Sequence, residues 1–296
     1  MQMSELLQAE ELFAPGHRAC PGCGQAIAMR LILRATGRNV ILSIATGCLE
    51  TFATRYPATP FKVPVIHSLF ENAAAVASGI EAALDAIGRK DIKVIAVGGD
   101  GATFDIGFGM LSGMLERGHD VLYICLDNCA YMNTGIQRSS ATPLGAATTT
   151  TPPGKLWSGK EQLKKDVPAI VAAHGAKYVA VATVGYPMDL VRKVKKAMSV
   201  RAPSYIQVYT PCPTGEGFDS KDTIKIGRLA AETGVYPIFE IENGEVKGPK
   251  IRRIKPVEEY LRKLRWFRHL FESEKGAKII EEYRKIAKLN VEKYYR

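Results

Sequence analysis

The chain has 296 residues, of which 46% are hydrophobic and 24% charged. That is enough for one large or two modest domains around a substantial core. No apolar run is long enough to span a membrane, and the N-terminus lacks a signal-peptide layout, so a cytoplasmic location is the default.

The net charge of +10 is uneven: residues 247–296 hold 16 Lys and Arg against 7 Asp and Glu, which leaves only +1 for the rest of the chain. Such an end can attract nucleic acid or an acidic protein. Here aromatic and acidic residues alternate with the basic ones on a helical period, as in Glu258-Glu259-Tyr260-Leu261. That pattern points to an amphipathic helical tail docked on a neighbour, not to nucleic acid. The six cysteines are Cys20, Cys23, Cys48, Cys125, Cys129 and Cys212. A chain of this size folds without disulfides, so metal or redox chemistry is the first expectation.

In chain order, residues 1–19 read as an extended arm with a short helix. Cys20-Pro21-Gly22-Cys23-Gly24 forms a knuckle ahead of a helix over 25–36. A buried strand over 40–45 ends at Thr46-Gly47-Cys48. A second strand is expected over 63–67, then a helix over 70–87 rich in alanine and glycine. The strand over 92–97 runs into Gly98-Gly99-Asp100-Gly101, and a helix leads to another strand over 121–126. Residues 128–160 are poor in regular pattern and leave directly from Asp127-Asn128; a loop this long is usually functional, and an ordered active-site loop is expected. The alternation resumes with a helix from 160 to 173, a strand over 178–183, a helix over 187–200 and a strand over 205–209. Pro211-Cys212-Pro213 follows, then a helix over 220–233 and a hairpin turning at Asn243-Gly244. Strands alternating with helices argue an α/β fold: a mostly parallel sheet covered by helices on both faces, with a C-terminal hairpin and helical tail.

Ligands of open α/β sheets bind outside the carboxyl ends of the strands. The glycines let the backbone approach a phosphate, and Asp100 and Asn128 add two hard oxygen donors of the kind Mg²⁺ takes alongside phosphates. The residues thus read as a diphosphate held through Mg²⁺. Cys20 and Cys23 form one local pair, and Cys48 and Cys212 each follow a strand end, so four thiolates could converge at one sheet edge. Spacing alone leaves zinc and an iron–sulfur cluster open. Cys125 and Cys129 read as packing residues.

Gly99-Asp100-Gly101 with Asn128 twenty-eight positions after Asp100 resembles the thiamine diphosphate motif. That likeness implies Mg²⁺ ligation by Asp100, Asn128 and the Ala130 carbonyl. Longer stretches resemble the β subunit of pyruvate- and other 2-oxoacid:ferredoxin oxidoreductases. They include Ala14-Pro-Gly-His-Arg-Ala-Cys-Pro-Gly-Cys-Gly24, Ala45-Thr-Gly-Cys-Leu-Glu50, Ser68-Leu-Phe-Glu-Asn-Ala-Ala-Ala-Val-Ala-Ser-Gly79, Asp127-Asn-Cys-Ala-Tyr-Met-Asn-Thr-Gly-Ile-Gln-Arg-Ser-Ser140 and Cys212-Pro-Thr-Gly215.

The resemblance implies the thiamine diphosphate-binding fold over residues 1–235, with 236–296 as a hairpin and basic extension. It implies that Cys20, Cys23, Cys48 and Cys212 hold one 4Fe–4S cluster near the thiamine. The cofactor contacts it implies are Thr46, Gly47, Gly99, Asp100, Gly101, Ala102, Asn128, Ala130, Tyr131, Met132, Asn133 and Thr134, with Asn133, Thr46 and Cys48 closest to the chemistry. That chemistry is oxidative decarboxylation of a 2-oxoacid with coenzyme A, or its reverse, in anaerobic metabolism. Electrons leave through the cluster to ferredoxin. The partners implied are the α, γ and δ subunits or their fused equivalents, with no nucleic acid and no membrane. The glutamate that activates the pyrimidine comes from another subunit in this family, so neither Glu50 nor Glu71 takes that role.

Family members that use 2-oxoglutarate carry Gly-Cys-Ser-x-Lys where this chain has Gly47-Cys48-Leu49-Glu50-Thr51. The missing cation favours pyruvate, with a branched-chain 2-oxoacid or oxalate as alternatives. Two other classes compete. A cluster-free decarboxylase or acetolactate-synthase-like enzyme leaves four cysteines idle, and a non-catalytic iron–sulfur or zinc scaffold leaves the Gly-Asp-Gly motif idle.

Overall fold

The computed structural model describes residues 3–55, 57–251 and 253–295. The ends of the expected N-terminal arm and basic tail, and one position of the hairpin's second arm, lie outside the described residues. The strands are β1 (Val40–Ala45), β2 (Val65–Ser68), β3 (Lys93–Gly99), β4 (Val121–Asp127), β5 (Tyr178–Thr183), β6 (Ser204–Tyr209), β7 (Phe239–Glu242) and β8 (Glu245–Lys247). They form one sheet in the order β2-β1-β3-β4-β6-β5-β7-β8. The first six pair in parallel, and β7 and β8 are antiparallel at one edge. Among the described residues no helix is long and apolar enough to cross a membrane.

Among the described residues ten α-helices accompany the sheet: α1 (Met3–Gln8), α2 (Gly24–Thr36), α3 (Cys48–Ala53), α4 (Ala73–Ala86), α5 (Phe108–Glu116), α6 (Val167–Ala173), α7 (Pro187–Ser199), α8 (Thr223–Glu232), α9 (Val257–Leu261) and α10 (Glu274–Tyr294). Alternate residues of the central strands feed opposite faces, as the period of two requires. Ile95, Val97, Ile124 and Ile206 pack with Met29 and Ile32 of α2 and Leu190 of α7. Val94, Ala96, Val121 and Tyr123 pack with Ala77 of α4 and Leu111 of α5. A third core joins Ile226 and Leu229 of α8 to Tyr260, Phe267, Ile280 and Tyr283. The apolar stripe of the basic tail is therefore spent inside the chain, and its charges face outward.

Three expectations change. The helix expected from 160 begins only at Val167, with Asp166 as its cap, accepting the Ala169 N–H at 3.2 Å. Residues 160–166 stay irregular because Lys160 is buried and its ammonium needs carbonyls: Thr142 O at 2.5 Å, Leu163 O at 3.3 Å and Ser140 O at 3.4 Å. The helix expected over 220–233 starts as a short 3₁₀ turn, Ser220–Asp222, before α8. The second arm of the hairpin is ordered as strand only over Glu245–Lys247.

Candidate active site

Parallel pairing places the carboxyl ends of β1, β3, β4 and β6 side by side, in that order. Thr46-Gly47-Cys48, Asp100, Asn128 and Cys212 each follow one of these ends, so residues 164 positions apart in sequence line a single sheet edge. Neighbouring strands lie about 4.8 Å apart.

After β3 the backbone does not enter an ordinary α-helix. Gly101–Ile106 forms a π-type turn, a departure that often marks functional sites. Gly101 is required there, because a Cβ would stand 2.3 Å from the Tyr131 ring. Tyr131 is held by its O–H to Asp105 at 2.9 Å and by stacking on Phe70 at 5.8 Å. Ala102 is buried beneath the turn.

Asp100 is 1% exposed. One of its oxygens accepts the Ser139 O–H at 2.5 Å. Burial, reinforced by the Asp127 charge, pushes its carboxyl up to about 8. The other oxygen lies 2.8 Å from the end of the Asn128 carboxamide, which also lies 2.9 Å from the Ala130 carbonyl. With its NH₂ toward those two atoms the amide bonds both; turned over, its oxygen makes a set of three acceptors that needs a cation between them. The donor set of one carboxylate, one amide and one carbonyl is the hard oxygen type Mg²⁺ prefers.

Asn128 and Ala130 face Asp100 because Cys129, between them, is left-handed at φ 66°. That conformation is costly for a non-glycine residue and persists where neighbours over-determine it. Asp127 accepts the Cys129 N–H at 3.0 Å, and Thr142 donates to the Cys129 carbonyl at 2.6 Å. Asp127 itself is fully buried, and its second oxygen accepts from Lys164 at 2.5 Å, Tyr236 at 2.7 Å and Gln207 at 3.1 Å. Burial opposes the charge of Lys164, but Asp127 outweighs it and keeps the ammonium protonated. This network ties both ends of the 128–165 loop to the sheet. The loop is ordered, and Ser139, Ala141, Thr142 and Ala146 are buried within it. An apolar cavity of about 230 Å³ between Tyr236, Tyr283 and Tyr294 lies behind this network, away from Asp100.

The cysteines come together from three directions. Gly24 packs so closely on the 210–211 peptide that a Cβ would stand 2.6 Å from Thr210 C, and its N–H bonds Pro211 O at 3.3 Å. Thr223 donates to Gly22 O at 2.6 Å. The 20–23 knuckle is thus fixed against the segments on either side of Cys212. Burial, and then the charges of Cys23, Asp100 and Cys20, push the Cys48 thiol up to about 12. Burial does the same for Cys212, with Cys48 and Cys23 among the charges that add to it. Burial also raises Cys23, opposed by the N–H groups of Ala26 and Gln25 at the start of α2. Cys20 is exposed. Cys125 and Cys129 are buried and stand apart from these four in the chain's core, as packing residues do. Among the described residues, no group of three or more His, Cys, Asp or Glu side chains is placed to hold a metal ion. The oxygen set at Asp100 is not of that kind, and the four thiols are held on neighbouring turns.

The remaining residues sit at the mouth. Thr46 Oγ1 lies 3.1 Å from His67 Nε2 and 3.3 Å from Ser68 O. Gly47 has a φ of 155°. Gly99 closes β3 with open space where a Cβ would be. Asn133 donates to Thr51 Oγ1 at 3.1 Å, and Thr134 to Gln137 at 2.6 Å. Met132 reaches over to Gly215, where a Cβ would come within 2.0 Å of its sulfur, and so links the loop to the Cys212 turn. Asn133 and Thr134 are exposed. Sequence reasoning missed Ser139, Asp127 with Lys164, and Glu216, which is fully buried beside Cys212. Nothing in their local sequence separates them from solvated polar residues.

Comparison with known proteins gives the family. Residues 45–208 match the family described as thiamine pyrophosphate enzyme, C-terminal TPP binding domain. The chain is 56% identical over 283 residues to pyruvate synthase subunit PorB of Methanocaldococcus jannaschii, covering 92% of this chain and 95% of that one. It is 46% identical over 295 residues to ketoisovalerate oxidoreductase subunit VorB of Pyrococcus abyssi, covering 96% and 94%. Among solved structures, the 2-oxoglutarate:ferredoxin oxidoreductase of Magnetococcus marinus aligns with a TM-score of 0.56 at 28% identity, over 66% of this chain and 64% of that one. The chain therefore belongs to the thiamine-binding subunits of the 2-oxoacid:ferredoxin oxidoreductase family.

Proposed function

We propose that this chain binds Mg²⁺ and one 4Fe–4S cluster beside its thiamine diphosphate, and that its complex converts pyruvate and coenzyme A to acetyl-CoA and CO₂ with reduction of ferredoxin, or runs the reverse. The observation that carries this reading is the adjacency of two donor sets on one sheet edge: oxygens after β3 and β4, thiols after β1 and β6. Asp100, Asn128 and the Ala130 carbonyl would hold Mg²⁺ against the diphosphate, and the Asp100 carboxyl, whose ionisation burial opposes, fits a cation that would offset that cost. Cys20, Cys23, Cys48 and Cys212 would hold the cluster. Burial disfavours the free thiolates of Cys23, Cys48 and Cys212, and ligation to iron supplies the positive charge that would offset it.

Bound thiamine diphosphate supplies the electron sink for decarboxylation, and the cluster a one-electron outlet. The chain's own residues supply placement. The glycine turn lets the backbone approach the diphosphate. Thr46, fixed by His67, and Asn133, fixed by Thr51, flank the mouth and would orient the 2-oxoacid. The 128–165 loop excludes water from one side. The other side is open, with Asn133 and Thr134 exposed, which suits completion by another subunit that carries the pyrimidine-activating glutamate. Residues 1–235 would form the cofactor-bearing unit and 236–296 its basic extension, working in the cytoplasm with the remaining subunits and ferredoxin.

The test is purification of the complex without oxygen, with analysis of bound subunits, thiamine diphosphate, iron and acid-labile sulfide, and assay of 2-oxoacids with coenzyme A. Bound thiamine with four irons per chain and turnover of pyruvate is the expected result. Turnover without iron would return the chain to simple decarboxylase chemistry.

A further inference from the structure

We infer that Glu216 is the positioning residue that fixes Cys212 as a cluster ligand. This rests on the cluster assignment above. Cys212 lies between Pro211 and Pro213, so its N–H is the only backbone donor in that stretch. Glu216 takes it: Oε1 accepts the Cys212 N–H at 3.0 Å. Its backbone N–H bonds the Cys212 carbonyl at 2.9 Å. One residue therefore grips both polar groups of the cysteine's main chain. The sulfur itself accepts the Gly215 N–H at 3.4 Å.

The carboxylate is anchored from behind. Oε2 accepts the Tyr209 O–H at 2.7 Å, and the Tyr209 and Tyr260 hydroxyls are 2.7 Å apart. Glu216 is fully buried, and its direct partners are a phenol and a peptide N–H rather than a cation. A carboxyl group placed there at the cost of desolvation, with one oxygen on the Cys212 N–H and the other on the Tyr209 hydroxyl, is more than a solvated loop residue. It sets the direction of the Cys212 Cβ–Sγ bond, as outer-shell partners do at metal sites. Through Tyr260 it also wires α9 to the ligand.

The complex is prepared without oxygen as wild type, Glu216→Ala, Glu216→Asp and Glu216→Gln. Iron and acid-labile sulfide per chain are measured, with the electron paramagnetic resonance spectrum of the oxidised and reduced protein. Loss of an outer-shell partner lowers metal affinity by about 10–100-fold, so E216A should lose most of its iron or retain a three-iron signal. E216D keeps the carboxyl group but, one methylene short, cannot span Tyr209 and Cys212 together; it should show the same loss if E216A does not fold. E216Q keeps an acceptor for the Cys212 N–H and should hold wild-type iron. Folded E216A or E216D with wild-type iron, sulfide and spectrum would overturn the inference. Wild type without iron would instead sink the cluster assignment on which it stands.

Discussion

Ser139 donates to Asp100 at 2.5 Å across 39 residues of sequence. The bond joins the loop to the glycine turn, and it points one Asp100 oxygen away from Asn128 and leaves the other toward it. Asp100→Ala should abolish Mg²⁺-dependent binding of thiamine diphosphate. Ser139→Ala removes one hydrogen bond to a charged group, worth about 1.5–3 kcal/mol, and should weaken binding by about 10–100-fold without changing the Mg²⁺ requirement. Titration of the apo complex with thiamine diphosphate, with Mg²⁺ and with chelator, measures both. Undiminished binding by D100A would remove that residue from the site.

Lys164 and Asp127 give a double-mutant test. Lys164→Met leaves a buried carboxylate without its cation, a change that costs about 3–5 kcal/mol. Asp127→Asn alone strands the ammonium, although Lys164 keeps the Ala141 carbonyl at 3.1 Å and the faces of Phe104 and Tyr236 near 5 Å. The double variant removes both charges and should recover part of the loss. Chemical denaturation of all four proteins reads the coupling, and additive losses would show that the pair is not a unit.

The parts of the molecule that sequence disclosed are those with a period or a fixed spacing. The buried strands were visible because parallel strands covered on both faces are continuous apolar runs, and Asp100, Asn128 and Cys212 because they directly follow such runs. Residues 160–166 were misread as helix because a lysine is an ordinary helix former. Only the fold brings three carbonyls to the Lys160 ammonium. Glu216 and Lys164 escaped for the same reason: a charged residue in a loop is usually solvated, and the partners that take them out of that default are Tyr209 for the buried Glu216 and Asp127 for the partly buried Lys164. The left-handed Cys129 carries no sequence signal, because it is imposed by Asp127 and Thr142.

Glu240 should set part of the acid limit of stability. Burial opposes its ionisation, but Lys196 at 3.0 Å, Arg192 and the Tyr178 hydroxyl outweigh it and hold the carboxyl below its ordinary value. The folded state therefore binds the proton less readily than the unfolded chain. The stabilisation is fully present above the unfolded carboxyl pKa of about 4.3 and is lost as pH falls through the lower folded value. In Glu240→Gln the melting temperature should fall at neutral pH and decline less steeply between about pH 5 and 3 than in wild type. Parallel curves would exclude the role.

Substrate choice should turn on Thr51. It lies on α3 one turn beyond Cys48, is exposed, and accepts from Asn133 at the mouth of the cleft. A second carboxylate reaching this wall finds a hydroxyl and the nearby Glu50, which already accepts the Thr54 hydroxyl at 2.8 Å, and no cation in the Gly47-Cys48-Leu49-Glu50-Thr51 stretch. Pyruvate has no distal group and suffers no such loss. Wild-type complex should therefore turn over 2-oxoglutarate poorly. Thr51→Lys puts an ammonium where the distal carboxylate would lie, and a charge-assisted hydrogen bond of about 1.5–3 kcal/mol should raise kcat/KM for 2-oxoglutarate by about 10–100-fold. The same variant gives up the Asn133 contact, so kcat/KM for pyruvate should fall. Assay of both acids with wild type and T51K decides it: steady turnover of 2-oxoglutarate by wild type, or no gain in the variant, would place the specificity determinant elsewhere.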